Sequence, residues 1–260
     1  MSHKITLRPI SDRVVNVEHE APDEPMVRCT ILLGNRYTVV FDTLYSQRDM
    51  QAVCEVVERQ RRPLLVINSH ADDDHAWGNA AFPLAPIIAH ELCRDRFLKG
   101  DELQVQLRAR QKENPEEFAS VVLVAPDITF STSLVIDAGG FTVSLHHLPG
   151  HKKDCLVAHI PELGLLLGGD TVETPIPLLV DGPLVEWSAN LQRWADHHDV
   201  KTVVPSHGPV SGPELLTRNS EYLHSLAAGR DDGWKPSSDT LDFYREAHGR
   251  NVARAKELRI

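Results

Sequence analysis

The run Asn68-Ser69-His70-Ala71-Asp72-Asp73-Asp74-His75 places two imidazoles and three carboxylates in eight consecutive positions, a density of nitrogen and oxygen donors that suits metal ions. It follows the apolar run Leu64 to Ile67, which begins directly after Pro63 and reads as a strand. A loop leaving a strand end can present side chains beyond it. In extended backbone alternate residues share a side, so His70, Asp72 and Asp74 converge, Ala71 and Asp73 face away, and His75 opens the next element. A single ion takes three or four such ligands at about 2.0–2.2 Å, and four groups differing in direction suit two ions better. Further ligands must then come from downstream, where His151 in LPGHKKD, Asp170 in LLLGGDTV and His207 in VVPSHGP each follow a strand or turn signal. Taken singly each of these would read as a turn or cap residue; their ordered co-occurrence favours ligation.

The elements that must position these residues are legible in the same pattern. Val14 to Val17, Val27 to Leu33 and Tyr37 to Phe41 are short β-type runs, the last two joined at Gly34-Asn35 as a hairpin. Ser46 with Asp49 can open a helix in which Met50, Val53, Cys54 and Val57 recur at helical spacing. Residues 86–89 read as a strand and 90–120 as charged helix interrupted near Pro115. Strands are expected at Val121–Val124, Leu134–Ile136, Phe141–Leu145, Leu156–Ile160, Leu163–Leu167 and Lys201–Val204, punctuated by Gly139-Gly140, Pro149-Gly150 and Pro161-Glu162. Trp187, Leu191 and Trp194 form one helical stripe, and Glu214 to Ile260 reads as two helices around a turn-rich Arg230–Ser238 segment.

Composition narrows the classes. A chain of 260 residues with 42% hydrophobic and 25% charged residues can bury its own core without disulfides. A formal charge of -10 argues against sequence-independent nucleic-acid binding. The cysteines Cys29, Cys54, Cys93 and Cys155 form no Cys-x-x-Cys pair, and no apolar segment approaches a membrane span or a signal peptide. A soluble cytoplasmic protein acting on a small molecule is expected, with its oligomeric state unread.

At these residues the sequence resembles the metallo-β-lactamase superfamily, whose pattern is His-x-His-x-Asp-His, a later Gly-His turn, an Asp after a strand and a late His-Gly. The resemblance spans residues 13 to about 210 and is shared in general form with glyoxalase-II-type thioesterases. It implies an α/β (α+β) fold, a four-layer αββα sandwich of two mixed sheets flanked by helices, as one domain over residues 1–260 with a helical extension from about 212. It also implies a ligand distribution: His70 and His151 on one metal, Asp74, His75 and His207 on the other, and Asp170 bridging both.

Asp72 stands where the family has its second His. With Asp72 as a ligand, two divalent ions, three carboxylates and one bridging hydroxide sum to zero charge; a His would leave one positive charge. The extra carboxylate hardens the site, so iron or manganese becomes an alternative to zinc, the first choice. The reaction expected is hydrolysis of an ester, lactone, thioester or amide by a metal-bridging hydroxide that Asp74 orients and whose proton it shuttles. The acidic position also resembles the lactamase-like domain of flavodiiron proteins, so a diiron redox protein handling oxygen or nitric oxide is the rival reading. A metal-stabilised ligand sensor is a third. Among lesser features, Trp77 can line the pocket or the core, Lys152 and Lys153 read as solvated, and Cys155 as core. His90, His146, His147 and His159 read as surface or supporting residues, and residues 90–120 and 170–186 as the pocket walls.

Overall fold

The computed structural model describes residues 3–231 and 233–258. Its first sheet has seven strands in sequence order: β1 (Lys4–Ser11), β2 (Val14–Glu20), β3 (Val27–Leu33), β4 (Thr38–Phe41), β5 (Leu64–Ile67), β6 (Ile87–His90) and β7 (Ile128–Phe130). The first four pair antiparallel; β4 to β7 run parallel. Parallel neighbours need crossovers, and these are supplied by α1 (Gln51–Gln60), by α2 (Asp73–Ala76) with the turn after it, and by α3 (Glu91–Leu98), α4 (Glu102–Glu113) and α5 (Pro115–Phe118). The second sheet follows: β8 (Ser133–Asp137), β9 (Thr142–His147), β10 (Leu156–Ile160), β11 (Leu165–Gly169) and β12 (Thr202–Pro205), with only β11 and β12 parallel. Helix α6 (Leu184–Ala195) connects that parallel pair, and α7 (Glu214–Ala227) and α8 (Asp242–Leu258) complete the chain.

Strand alternation sorts the side chains into layers. Val39, Phe41 and Ile67 point inward to meet Leu145, Leu156, Ile160 and Leu167 of the second sheet, while Val40 and Val66 point outward onto Met50, Val53 and Val57 of the α1 region. The far face of the second sheet, through Val157 and Leu166, packs on Trp187 and Leu191 of α6 and on Leu216 and Leu223 of α7. The result is the αββα sandwich that the resemblance implied. No helix among the described residues is long and apolar enough to cross a membrane.

Two expectations about strands change. Val121–Val124 is not a strand: its backbone finds no ladder, the Val124 carbonyl accepting instead from Asn79 Nδ2, and β7 begins beyond Pro126. The N-terminal β1 has no counterpart among the expected strands, because an edge strand exposed along most of its length and carrying Arg8 and Pro9 lacks a clean apolar alternation. The tail helix is described to Leu258; residues 259–260, and residue 232 within the Arg230–Ser238 turn, lie outside the described residues.

Candidate metal centre

Parallel pairing decides where the chemistry falls. Phe41 lies opposite Ile67, so β4 and β5 end side by side, and β11 ends beside β12 with Gly169 opposite Pro205. The residues just past these four ends are Asp42, the His70–His75 run, Asp170 and His207, and the loop after β9 adds His151. The two sheets approach closely here: Gly169 has φ +55° and a Cβ there would come within 2.9 Å of Ser69 Cβ.

All seven residues expected to hold metal are brought together. His70, His151 and Asp170 offer three donor atoms within 4.8 Å of one another, and Asp74, His75 and His207 offer a second such set. Asp170 faces both: Oδ2 is 3.7 Å from His70 Nε2, while Oδ1 is 3.2 Å from His75 Nε2 and 3.3 Å from His207 Nε2. Asp74 Oδ2 lies 3.2 Å from His75 Nε2 and 3.3 Å from His207 Nε2. Asp73 turns away from the donors to Arg110 Nη2 at 2.9 Å, but not through the expected strand alternation, because Asp73–Ala76 is a turn of helix rather than extended chain.

The far nitrogen of each ring is held by an oxygen. His151 Nδ1 donates to the Leu178 carbonyl at 2.8 Å and His207 Nδ1 to the Met26 carbonyl at 3.0 Å. His75 Nδ1 donates to Asp42 Oδ2 at 3.0 Å. Ser69 Oγ spends its own proton on Asp42 and so accepts from His70 Nδ1 at 3.0 Å. Carbonyls and carboxylates only accept, so in each neutral ring the proton sits on Nδ1 and Nε2 presents its lone pair to the cluster. Among the described residues His70 Nε2, His75 Nε2 and Asp170 Oδ1 are buried with no hydrogen-bond partner. Lone pairs facing carboxylate oxygens repel unless a cation lies between them, and two divalent ions fit that need.

Electrostatics agree. Burial works against charge throughout the cluster, yet Asp170 and Asp74 hold His75 well above the usual imidazole range, and Asp170 does the same for His207. Conversely, His75 and His207 outweigh burial at Asp170 and hold it well below the usual carboxylate range. The cluster therefore attracts positive charge, whether as protons or as metal.

Asp72 is where the reading sharpens. Its Oδ2 faces the first set, 3.3 Å from His151 Nε2 and 3.6 Å from His70 Nε2. Its Oδ1, however, is 2.8 Å from Arg96 Nη2 and 3.0 Å from Lys152 Nζ. The negative charge at this position is thus shared with two cations, and a ligand sum that treats Asp72 alone misstates the field. Lys152 is accordingly an ion-pair partner of Asp72 rather than a solvated lysine.

Above the donors lies a cavity of about 300 Å³, lined by Glu24, Pro25, Tyr45, Arg110, Leu178 and Phe243 together with donors of both sets and Glu173. Arg110 and Leu178 fall in the expected walls; Tyr45 and Phe243 do not. Trp77 is absent from this lining and fully buried, with its ring against Phe118. His90 stacks on His147, while His146 and His159 face Trp194, all away from the centre. Cys155 is buried, its thiol pushed well up by burial, and belongs to the core.

The supporting residues not singled out beforehand are Asp42, Arg96, Tyr45 and Glu173. Asp42 has φ +67°, a left-handed conformation that Asp tolerates, at the end of an apolar strand; a polar residue closing such a run was the available signal. Glu173 sits 2% exposed with Tyr244 Oη donating to it at 2.7 Å, and burial raises its carboxyl to about 7.

The two-sheet sandwich with its paired donor sets defines a class: a model of the metallo-beta-lactamase superfamily matches residues 22–249, and the chain belongs to that superfamily, and with it to the hydrolases. A human relative, the acyl-coenzyme A thioesterase MBLAC2, is 24% identical over 225 residues, covering 74% of this chain and 77% of its own. A type 2 metallo-beta-lactamase of a Bacillus strain is 22% identical over 200 residues, covering 74% and 71%. Among solved structures, the metallo-beta-lactamase from Pontibacter korlensis superposes with TM-score 0.67 at 22% identity, over 85% of this chain and 99% of the other.

Proposed function

We propose that this chain is a dinuclear metal-dependent hydrolase of thioesters, with zinc as the first-choice metal. The observation that carries the reading is the pair of three-donor sets joined through Asp170, with each Nε2 lone pair turned into the cluster by an oxygen behind the ring. The choice of thioester among acyl substrates draws on the relative named as an acyl-coenzyme A thioesterase.

Bound divalent ions lower the pKa of water to about 7 and so make hydroxide available at neutral pH. The chain supplies the rest. His70, His151 and Asp170 would hold one ion, with Asp72 Oδ2 beside them; Asp74, His75 and His207 would hold the other. Asp74 is the residue assigned to orient the nucleophile and take its proton, since its carboxylate sits among the second set at the cavity floor. Pro25, Leu178, Tyr45 and Phe243 give that cavity an apolar wall against which an acyl group can lie. Arg110, half-exposed at the rim, can meet an anionic leaving portion. Four free cysteines suit a reducing compartment, and we assign the protein to the cytoplasm on that ground.

The test is to strip metal with a chelator, restore zinc, manganese and iron one at a time, and assay acyl-coenzyme A thioesters beside simple esters, lactones and a β-lactam. Metal-dependent turnover greatest on thioesters is expected. Turnover that survives the chelator, or none on any acyl substrate, overturns the reading. Two irons per chain with a visible absorption band would favour the diiron redox alternative instead.

A further inference from the structure

Away from the centre, a second group of donors gathers where the beginning of β1 crosses the end of β2. His3 precedes β1, and His19 lies near the end of β2 opposite Ile5. Their rings stack with centroids 4.6 Å apart. Glu117 of α5 reaches the same point, so that one nitrogen from each histidine and one carboxylate oxygen lie within 4.8 Å of one another. Behind His3 stands Asp49, just ahead of α1, whose Oδ1 is 3.1 Å from His3 Nε2 while its Oδ2 accepts from Ser46 Oγ at 2.7 Å.

His19 is only 4% exposed and Asp49 1%. Among the described residues neither His19 Nε2 nor Asp49 Oδ1 has a hydrogen-bond partner, the His3 contact being misaligned for one. Buried polar atoms are ordinarily paired, and two unpaired ones on either neighbour of His3 point to a ligand that completes the group. The space is present: His3, His19 and Glu117 line a cavity of about 150 Å³ with Tyr45 and Arg110.

We propose that His3, His19 and Glu117, with Asp49 backing His3, form a zinc site separate from the hydrolytic centre. Two imidazole nitrogens with one carboxylate oxygen supply three ligands of the kinds zinc takes and disfavour magnesium or calcium, which take oxygen. The charges close as well, two carboxylates balancing one divalent ion. Such an ion fastens β1, β2, α5 and the segment before α1 to one another. His19 also packs edge-on to Tyr45 at 5.1 Å, and Tyr45 meets Phe118 of α5 at 6.5 Å. Tyr45 lines both this cavity and the one over the hydrolytic centre. The site therefore steadies a wall of the substrate cavity without touching the reacting atoms, and it stands whether or not the thioester reading does.

The experiment is elemental analysis of the full chain dialysed against buffered excess zinc, comparing wild type with the His3→Ala/Glu117→Gln double variant and, separately, with Asp49→Asn. These changes avoid the sandwich core, and Asp49→Asn keeps a partner for Ser46. Each variant should hold one zinc equivalent fewer than wild type and show a smaller zinc-induced rise in Tm. The half-exposed His197-His198-Asp199 group is present in all three proteins, so its contribution cancels. Equal zinc content in all three, or a loss in the double variant that Asp49→Asn fails to reproduce, overturns the proposal.

Discussion

Asp42→Asn isolates the contribution of a residue that can touch neither metal nor substrate. The Asp42 carboxylate is fully buried and accepts three hydrogen bonds: from Ser69 N–H at 2.7 Å, Ser69 Oγ at 2.9 Å and His75 Nδ1 at 3.0 Å. Asn fits the same space and tolerates the same left-handed backbone, so the fold is not the variable. Its amide, however, has only one accepting oxygen. If that oxygen keeps the Ser69 N–H, the amide nitrogen faces His75 Nδ1–H, donor against donor. His75 resolves the clash by moving its proton to Nε2, which removes the lone pair aimed at the second donor set. Disrupting the group behind a metal-ligating histidine costs about 10–100-fold in metal affinity, or roughly 1.4–2.7 kcal/mol. Metal-free stability should fall by a further ~1.5–3 kcal/mol for the lost charged hydrogen bond. A zinc competition titration against a chromophoric chelator measures the first quantity and urea unfolding the second. An Asn variant that binds both zinc ions with wild-type affinity would refute the tautomer reasoning, whatever its activity.

Two further predictions concern the charges around the centre. Among the described residues, Arg96→Met leaves buried Asp154 with only the Ala71 N–H and leaves Asp72 Oδ1 with Lys152 as its one cationic partner; breaking such a pair costs about 3 kcal/mol, and urea unfolding with an unchanged midpoint would contradict it. Glu173, raised by burial to about 7 from its ordinary 4.5, binds a proton more readily folded than unfolded. The metal-free protein should therefore lose stability as pH rises from about 4.5 through 7, by up to roughly 3 kcal/mol. Glu173→Gln should flatten that slope, and an identical pH profile in the variant would remove Glu173 as its cause.

The donors were legible because each stands at a strand end that the sequence marks: Ile67 before the His70–His75 run, Leu167 before Asp170, Val204 before His207. Strands buried on both faces announce themselves through apolar runs, and β3, β5 and β10 appear within a residue of their expected bounds. Exposed or unpaired segments do not. The β1 edge strand mixes Arg8 and Pro9 with apolar residues, and Val121–Val124 has strand composition without a neighbour to pair with. The supporting shell was hidden for a related reason: Arg96 and Tyr45 reach the centre only through tertiary packing. Helical spacing places Arg96 on α3 but cannot say that this helix lies over Asp72.

The division of labour between the sheets bears on how the protein comes into being. The first sheet is complete by Phe130 and the second begins at Ser133, so the sandwich is two contiguous stretches of chain laid face to face. The first stretch contributes His70, Asp72, Asp74 and His75; the second contributes His151, Asp170 and His207. Neither stretch contains a full donor set. During synthesis the amino-terminal half emerges with its acidic loop unmatched, and the second set closes only when His207, two residues past the final strand, has left the ribosome. If the proposed ions bind, their capture would be timed to the end of sandwich assembly, and an ion held across the seam would reward the docked halves rather than either one alone.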